Sequence, residues 1–215
     1  YHIPEGMTTM EGALVEPAAV GMHAAVLGGA QPGKSIVILG GGTIGLMVLQ
    51  ACISLGATDI TVVDVIEKRL ELAKKLGAAR VINGKEEDTV AVLRSEEMYG
   101  DHGVDLVFEA AGAVFTAQQA VQIVSRGGKI MMVGTQSKPV PIDFLKINRE
   151  VTIQTSFRYC NNFPQTIEAI SSGRFNVKDM VTNIYDYEDV QKAFEEAIDP
   201  VKKTEMVKGV IKVAE

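Results

Sequence analysis

Hydrophobic positions in this chain cluster in short uncharged runs, separated by small-residue or amphipathic stretches. Ser35 to Leu39 (Ser-Ile-Val-Ile-Leu) is β-branched and uncharged, which predicts a parallel strand buried on both faces. Ile44 to Leu55 is apolar nearly all round with small residues interspersed, as a helix packed on a sheet requires. Ile60 to Val63 is a second apolar run, ending in Asp64, nineteen residues after Gly45. Downstream the alternation predicts helices over Glu67 to Leu76, Thr89 to Met98 and Phe115 to Val124. It predicts strands over Arg80 to Ile82, Val104 to Phe108, Lys129 to Val133 and Val151 to Thr155. Six strands with helices between them make an α/β fold, a doubly wound six-stranded parallel sheet of Rossmann type.

The flanks are less regular. Thr8-Thr9-Met10-Glu11 fits a capping box and predicts a helix from about Thr9. Pro17 cannot donate a helical hydrogen bond and is expected to interrupt that helix. A second helix is then predicted from Pro17 to about Leu27, with Gly28-Gly29 stopping it and Glu16 at the break. Beyond the sixth strand, Pro164 to Ser171 and Tyr187 to Ala197 read as helices and Lys208 to Val213 as a strand. The six-stranded sheet is complete before them, so this tail is expected in another layer.

Between the first strand and its helix stands Gly40-Gly41-Gly42-Thr43-Ile44-Gly45. Strand, glycine turn, helix, second strand and terminal acid follow the order of a dinucleotide site. Gly40 permits the tight turn, Gly42 lets the backbone approach a pyrophosphate, and Gly45 lets helix and strand pack closely. The helix N-terminus offers unpaired N–H groups and partial positive charge to phosphates. Asp64 can accept from both ribose hydroxyls of an adenosine and would repel a 2′-phosphate. At about 4 Å that repulsion is roughly 1 kcal/mol in water and about 4 near a protein surface, a roughly tenfold to several-hundredfold preference for NAD over NADP. The alternative is that the glycines only turn the chain and Asp64 only caps a helix. Ala111-Gly112 and Val133-Gly134-Thr135 fall at strand ends, where they can wall the nicotinamide half or serve as ordinary turns.

Composition narrows the classes. A net charge of −6 argues against a basic face for nucleic acid. Two isolated cysteines, Cys52 and Cys160, are too few for a disulfide framework or a metal cluster. The 24 uncharged residues from Ser35 to Thr58 could suggest a membrane span, but three adjacent glycines favour a soluble element. No signal peptide is visible, so a cytoplasmic location is expected, with no membrane partner. The chain starts at Tyr1 with no initiator Met, which reads as the middle of a larger protein.

With these features placed, the chain resembles the zinc-dependent medium-chain dehydrogenase/reductases, specifically the sorbitol (polyol) dehydrogenase branch. The resemblance rests on Glu11-Gly12-Ala13-Leu14-Val15-Glu16-Pro17, on Gly40 to Gly45 with Asp64 and Arg69, and on Ser156-Phe157-Arg158-Tyr159-Cys160-Asn161. It implies hydride transfer between a polyol and NAD, with a catalytic zinc that lowers the alcohol's pKa. It also implies roles. Glu16 would stand at the zinc, directly or through water, and Arg158 and Tyr159 would reach substrate hydroxyls. Thr43, Ile44, Asp64, Arg69, Val133, Gly134 and Thr135 would contact NAD, and Ser156, Phe157 and Arg158 would line the nicotinamide. Residues 1–15 would lead in from a catalytic domain, 16–155 would form the NAD-binding domain, and 156–215 would return to the catalytic domain. Homodimers or homotetramers, joined partly at the sheet edge near Val151 to Thr155, are the family's habit.

One departure matters. The family's N-terminal GroES-like domain supplies a cysteine and a His-Glu pair to the zinc, and His2, His23 and His102 do not sit at those positions. Glu16 alone cannot hold zinc, which needs about three protein ligands. The expectation is a truncated product that binds NAD without turnover, with apolar surface left bare near Ile211 and Val213. Threonine or butanediol dehydrogenases are the nearest alternative. A non-catalytic NAD-binding module and a methyltransferase with a similar glycine turn are the alternatives from other classes.

Overall fold

Ser35–Leu39 is the strand (β1) from which the rest of the sheet is laid out. The structure, a computed structural model, describes residues 1–147 and 149–213. Five further strands are parallel to β1: β2 (Asp59–Asp64), β3 (Arg80–Asn83), β4 (Val104–Glu109), β5 (Val124–Met132) and β6 (Thr152–Thr155). Their order is β3-β2-β1-β4-β5-β6. The chain works outward from β1 to β3, then crosses back and works outward to β6. That reversal opens a crevice at the carboxyl ends of β1 and β4, where sheets of this kind bind ligands.

Helices cover both faces, so β1 shows no polar alternation. Ile36 and Ile38 join one core with α1 (Thr9–Gly28), α2 (Thr43–Ser54) and α7 (Phe163–Ser171). Val37 and Leu39 join a second core with α4 (Thr89–Leu93) and α5 (Val114–Ile123). Helix α3 (Glu67–Lys75) places Ala73 in the first of these.

The predicted break at Pro17 does not occur: α1 runs unbroken through it for 20 residues. One hydrogen bond is lost there, but Leu14, Val15, Ala18, Ala19 and Met22 are all buried around it. Where α1 crosses α2, a Cβ at Gly21 would fall 2.6 Å from Met47 O, so the backbones meet with no side chain between them. Packing of that intimacy outweighs a single unmade hydrogen bond. The expected capping box is present, with Thr8 and Glu11 bonded reciprocally. Burial pushes the Glu11 carboxyl up, but the Thr8 hydroxyl, the Thr8 N–H and the Lys178 ammonium together hold it below the usual glutamate range.

Other boundaries moved for local reasons. Helix α4 stops at Leu93, not Met98, because the Arg94 guanidinium donates to the carbonyls of Gly100, Asp101, Gln122 and Val124 and folds the following loop back. Strand β5 starts at Val124, five residues before the expected Lys129, because a register shift against β4 lets the chain bulge and still pair. The loop after β5 carries a one-turn helix, α6 (Phe144–Ile147), too short to leave a periodic pattern.

The tail forms its own small layer. Strands β7 (Val181–Asp186) and β8 (Lys208–Lys212) pair in parallel, with α8 (Val190–Ile198) and α9 (Lys202–Glu205) between them in sequence. The Gln50 side chain ties the preceding segment down, accepting from Asn176 N–H at 2.8 Å while donating to Leu76 O at 2.6 Å. Ile184, Phe194, Ile198, Val201 and Val213 are each more than 60% exposed, so this layer presents an apolar surface. Among the described residues no helix is long and apolar enough to cross a membrane.

Candidate functional site

The glycine turn does in space what its sequence requires. Gly40 has φ 108°, a left-handed backbone, and a Cβ there would lie 2.8 Å from Ala111 N. A Cβ at Gly45 would overlap Gly40 O, so only glycine lets α2 start this close to β1. Gly42 differs: its nearest neighbour for a Cβ is Arg69 Nη1 at 3.9 Å. The space above Gly42 is open, as a backbone that receives a phosphate must be. Gly42 also caps α2 without a side-chain hydrogen bond, leaving the first N–H groups of that helix available. Thr43 begins α2, and its hydroxyl donates to Val207 O, so the tail lies beside this helix N-terminus. Ile44 is half-buried on the first turn.

Asp64 ends β2 beside the turn and is 8% exposed. Its Oδ2 accepts from Gly41 N–H at 2.7 Å, and its Oδ1 accepts from Val65 and Ile66 N–H at 2.8 and 2.9 Å. Three of the roughly four lone-pair positions of the carboxylate are therefore engaged, leaving one on Oδ2. That refines the expectation that Asp64 serves both ribose hydroxyls. Arg69 Nη1 stands 3.7 Å from the same Oδ2, while Nη2 donates to Lys203 O.

A cavity of about 370 Å³ opens here, lined by Gly40, Gly42, Asp64, Arg69, Thr89 and Ala111, among others. Phe115, two-thirds exposed, is also part of its wall. Across the crevice the two expected nicotinamide walls touch. A Cβ at Gly134 would lie 2.7 Å from Gly112 Cα, and one at Gly112 would lie 2.7 Å from Thr135 O. Val133 and Gly134 both donate to Glu109 O at 2.8 Å, which fixes the loop at the end of β5.

Glu109 is the residue that reading the sequence missed. Its carboxylate is completely buried at the end of β4. Oε1 accepts from Ala111 N–H, Gly112 N–H and Thr116 Oγ1 at 3.0, 2.9 and 2.7 Å, and Oε2 accepts from Gln136 Nε2 at 2.7 Å. Like Asp64 it is an acid closing a buried strand, but no glycine turn precedes it at a telling spacing.

The substrate-side residues are less assembled. Glu16 is exposed on α1. Arg158, with φ 51°, lies over the Phe157 ring at 5.3 Å instead of against Glu16. Tyr159 packs edge-on against Phe163, which in turn stacks on Tyr1. Ser156 follows β6 and donates its N–H to Met132 O.

Four buried side-chain atoms have no partner among the described residues: Arg69 Nε, Thr89 Oγ1, Gln136 Oε1 and Ser156 Oγ. Arg69 and Thr89 line the cavity, and Gln136 and Ser156 follow the ends of β5 and β6 on the same rim. Buried polar atoms are nearly always paired, so four on one rim fit a polar ligand such as a dinucleotide. A metal does not fit. Among the described residues no three His, Cys, Asp or Glu side chains converge as a metal would need.

Residues 43–172 match the model of a family described as zinc-binding dehydrogenase. The zinc-type alcohol dehydrogenase-like protein YdjJ of Escherichia coli is 62% identical over the whole chain, which covers 61% of that protein. Sorbitol dehydrogenase of Bacillus subtilis is 40% identical over 92% of the chain and 56% of that enzyme. The chain thus spans about three-fifths of the length of these relatives. A crystal structure of an Escherichia coli oxidoreductase/dehydrogenase of unknown specificity superposes with a TM-score of 0.96 at 61% identity, covering all of this chain and 61% of that one. A structure from Sinorhizobium meliloti, described as a zinc-binding dehydrogenase bound to NADP, superposes with a TM-score of 0.91 over 99% of this chain and 62% of that one. At 24% identity it bears on the fold alone.

Proposed function

We propose that this chain, which belongs to the zinc-binding dehydrogenase family, is the coenzyme-binding part of an oxidoreductase moving a hydride between a sugar alcohol and NAD. One observation carries the reading: the buried Asp64 carboxylate, held by three backbone N–H groups at the lip of the glycine-turn cavity. A carboxylate so fixed suits a ribose hydroxyl and opposes a 2′-phosphate. Arg69 beside it offsets part of that opposition, so the expected preference for NAD over NADP is about tenfold, the lower end of the Coulomb range.

When bound, the dinucleotide supplies the hydride acceptor. The open backbone at Gly42 and the start of α2 receive the pyrophosphate. Asp64 and Arg69 hold the adenosine, and the touching segments at Gly112 and Gly134 back the nicotinamide half, with Val133, Thr135, Ser156 and Phe157 beside it. No step through zinc is assigned to this chain, whose described residues do not form a site for it. Glu16 corresponds, by resemblance, to a carboxylate at the metal. The remaining ligands would come from the two-fifths of the relatives' length that the chain does not span.

The polyol assignment is supported by the 40% identity to a sorbitol dehydrogenase and by Arg158 and Tyr159, whose donors suit a polyhydroxy chain. Assembly as a homodimer or homotetramer through β6, the strand at the sheet edge, belongs to the same reading, as does a cytoplasmic location. The test compares this chain with a form extended to the full length of its relatives. The chain alone is expected to retain far less than one zinc per molecule and not to oxidise sorbitol. The extended form is expected to oxidise sorbitol with NAD faster than threonine or 2,3-butanediol. Sorbitol turnover by the chain alone, or an extended form that prefers threonine or butanediol, would contradict the proposal.

A further inference from the structure

Glu109 is the most deeply buried acid in the crevice, and the chemistry described so far does not need its charge. Its four side-chain partners are neutral donors: two backbone N–H groups, a threonine hydroxyl and an amide. Among the described residues no lysine, arginine or histidine forms an ion pair with it. A glutamine could tie the same segments together without the cost of burying a charge, which is several kcal/mol for an ion in a protein interior, on the order estimated for real proteins. All four partners donate, which is the complement a carboxylate takes.

Its position gives the charge an object. Glu109 ends β4, on the β4–β5 side of the crevice, beneath the turn at Ala111–Gly112 and beside the loop from Val133 to Gln136. In a doubly wound sheet with the adenosine at the end of β2, the other half of a dinucleotide falls over β4 and β5. The nicotinamide ring carries a positive charge when oxidised and none when reduced. We infer that the buried Glu109 carboxylate acts as a fixed counter-charge that makes this site favour oxidised NAD over NADH. The inference rests on the dinucleotide reading above and adds to it a residue that sets the balance between the two redox forms. Gln136, whose amide donates to Glu109 while its own oxygen is buried without a partner, completes the arrangement.

Glu109→Gln is a clean test because Gln136 can rotate its amide and present that free oxygen to the new amide group. The hydrogen bonds are then kept and only the charge is lost. Calorimetric titration with NAD and fluorescence titration with NADH give the ratio of the two affinities without any turnover. The ratio is expected to fall about six- to thirtyfold toward NADH, the range for a unit charge removed at roughly 8–15 Å in a medium of effective dielectric near 20. Gln136→Lys, which sets an ammonium against the same carboxylate, is expected to lower the ratio in the same direction and serves if Glu109→Gln does not fold. Thr116→Val weakens the clamp but keeps the charge, and should leave the ratio unchanged. A ratio that stays constant in Glu109→Gln and Gln136→Lys, even if both affinities drop together, would overturn the inference and leave Glu109 a structural clamp. An unmutated chain that binds neither form would instead overturn the dinucleotide reading itself.

Discussion

Asp64→Asn weakens NAD binding about ten- to a hundredfold, the worth of one hydrogen bond to a charged group, while NADP binding changes much less. The substitution keeps the shape of the side chain and removes its charge. Asn can still accept from Val65 and Ile66 N–H, but its amide then faces the Gly41 N–H, donor against donor, at the position Oδ2 now occupies. The lone pair left for a ribose hydroxyl disappears at the same time. For NADP, relief of the repulsion between carboxylate and 2′-phosphate compensates the lost hydrogen bond, and Arg69 is released to pair with that phosphate. The two affinities should therefore converge in side-by-side calorimetry. An unchanged preference in Asp64→Asn would remove Asp64 from the adenosine site.

Gly45→Ala should cost about 3 kcal/mol or more in stability, at or above the upper end for overpacking, because its methyl group meets backbone and not a side chain that can move. The Cβ would overlap Gly40 O and stand 2.9 Å from Gly40 C, so α2 must retreat from β1 or the glycine turn must open. For a chain of this size that corresponds to a fall in Tm of roughly 6 °C or more. Gly42→Ala provides the contrast. Gly42 has φ −72°, which alanine adopts freely, and its nearest neighbour for a Cβ is 3.9 Å away. Its Tm should be nearly unchanged, yet its methyl group occupies the space proposed for the pyrophosphate, and NAD binding should be lost. If both variants lost binding and stability in proportion, the division of labour between the two glycines would be wrong.

The sheet was legible because parallel strands buried on both faces leave short β-branched apolar runs, here bounded by glycine turns and separated by helical stretches. Ser35–Leu39 is observed with the bounds its composition suggested, and the capping box at Thr8 and Glu11 stands where its local chemistry placed it. Non-local interactions erased the local signals elsewhere. Pro17 reads as a breaker until the close crossing at Gly21 and Met47 is known. The end of α4 depends on Arg94 capturing carbonyls up to thirty residues away. Strand β7 went unread because its partner, β8, lies more than twenty residues on, across two helices. At the site, Asp64 announced itself through its spacing from the glycines. Glu109 ends its strand in the same way, but no glycine motif draws attention to it. The sequence left unsaid how fully Asp64 is already engaged by backbone, and a one-dimensional pattern holds no record of hydrogen-bond saturation.

Calorimetric titration of the unmutated chain with NAD, NADP and S-adenosylmethionine bears most directly on what the glycine turn and Asp64 hold. The expected result is one NAD bound per chain, NADP weaker by about tenfold, and no heat from S-adenosylmethionine. Binding of S-adenosylmethionine in place of NAD, or no binding of NAD at all, would contradict the dinucleotide site.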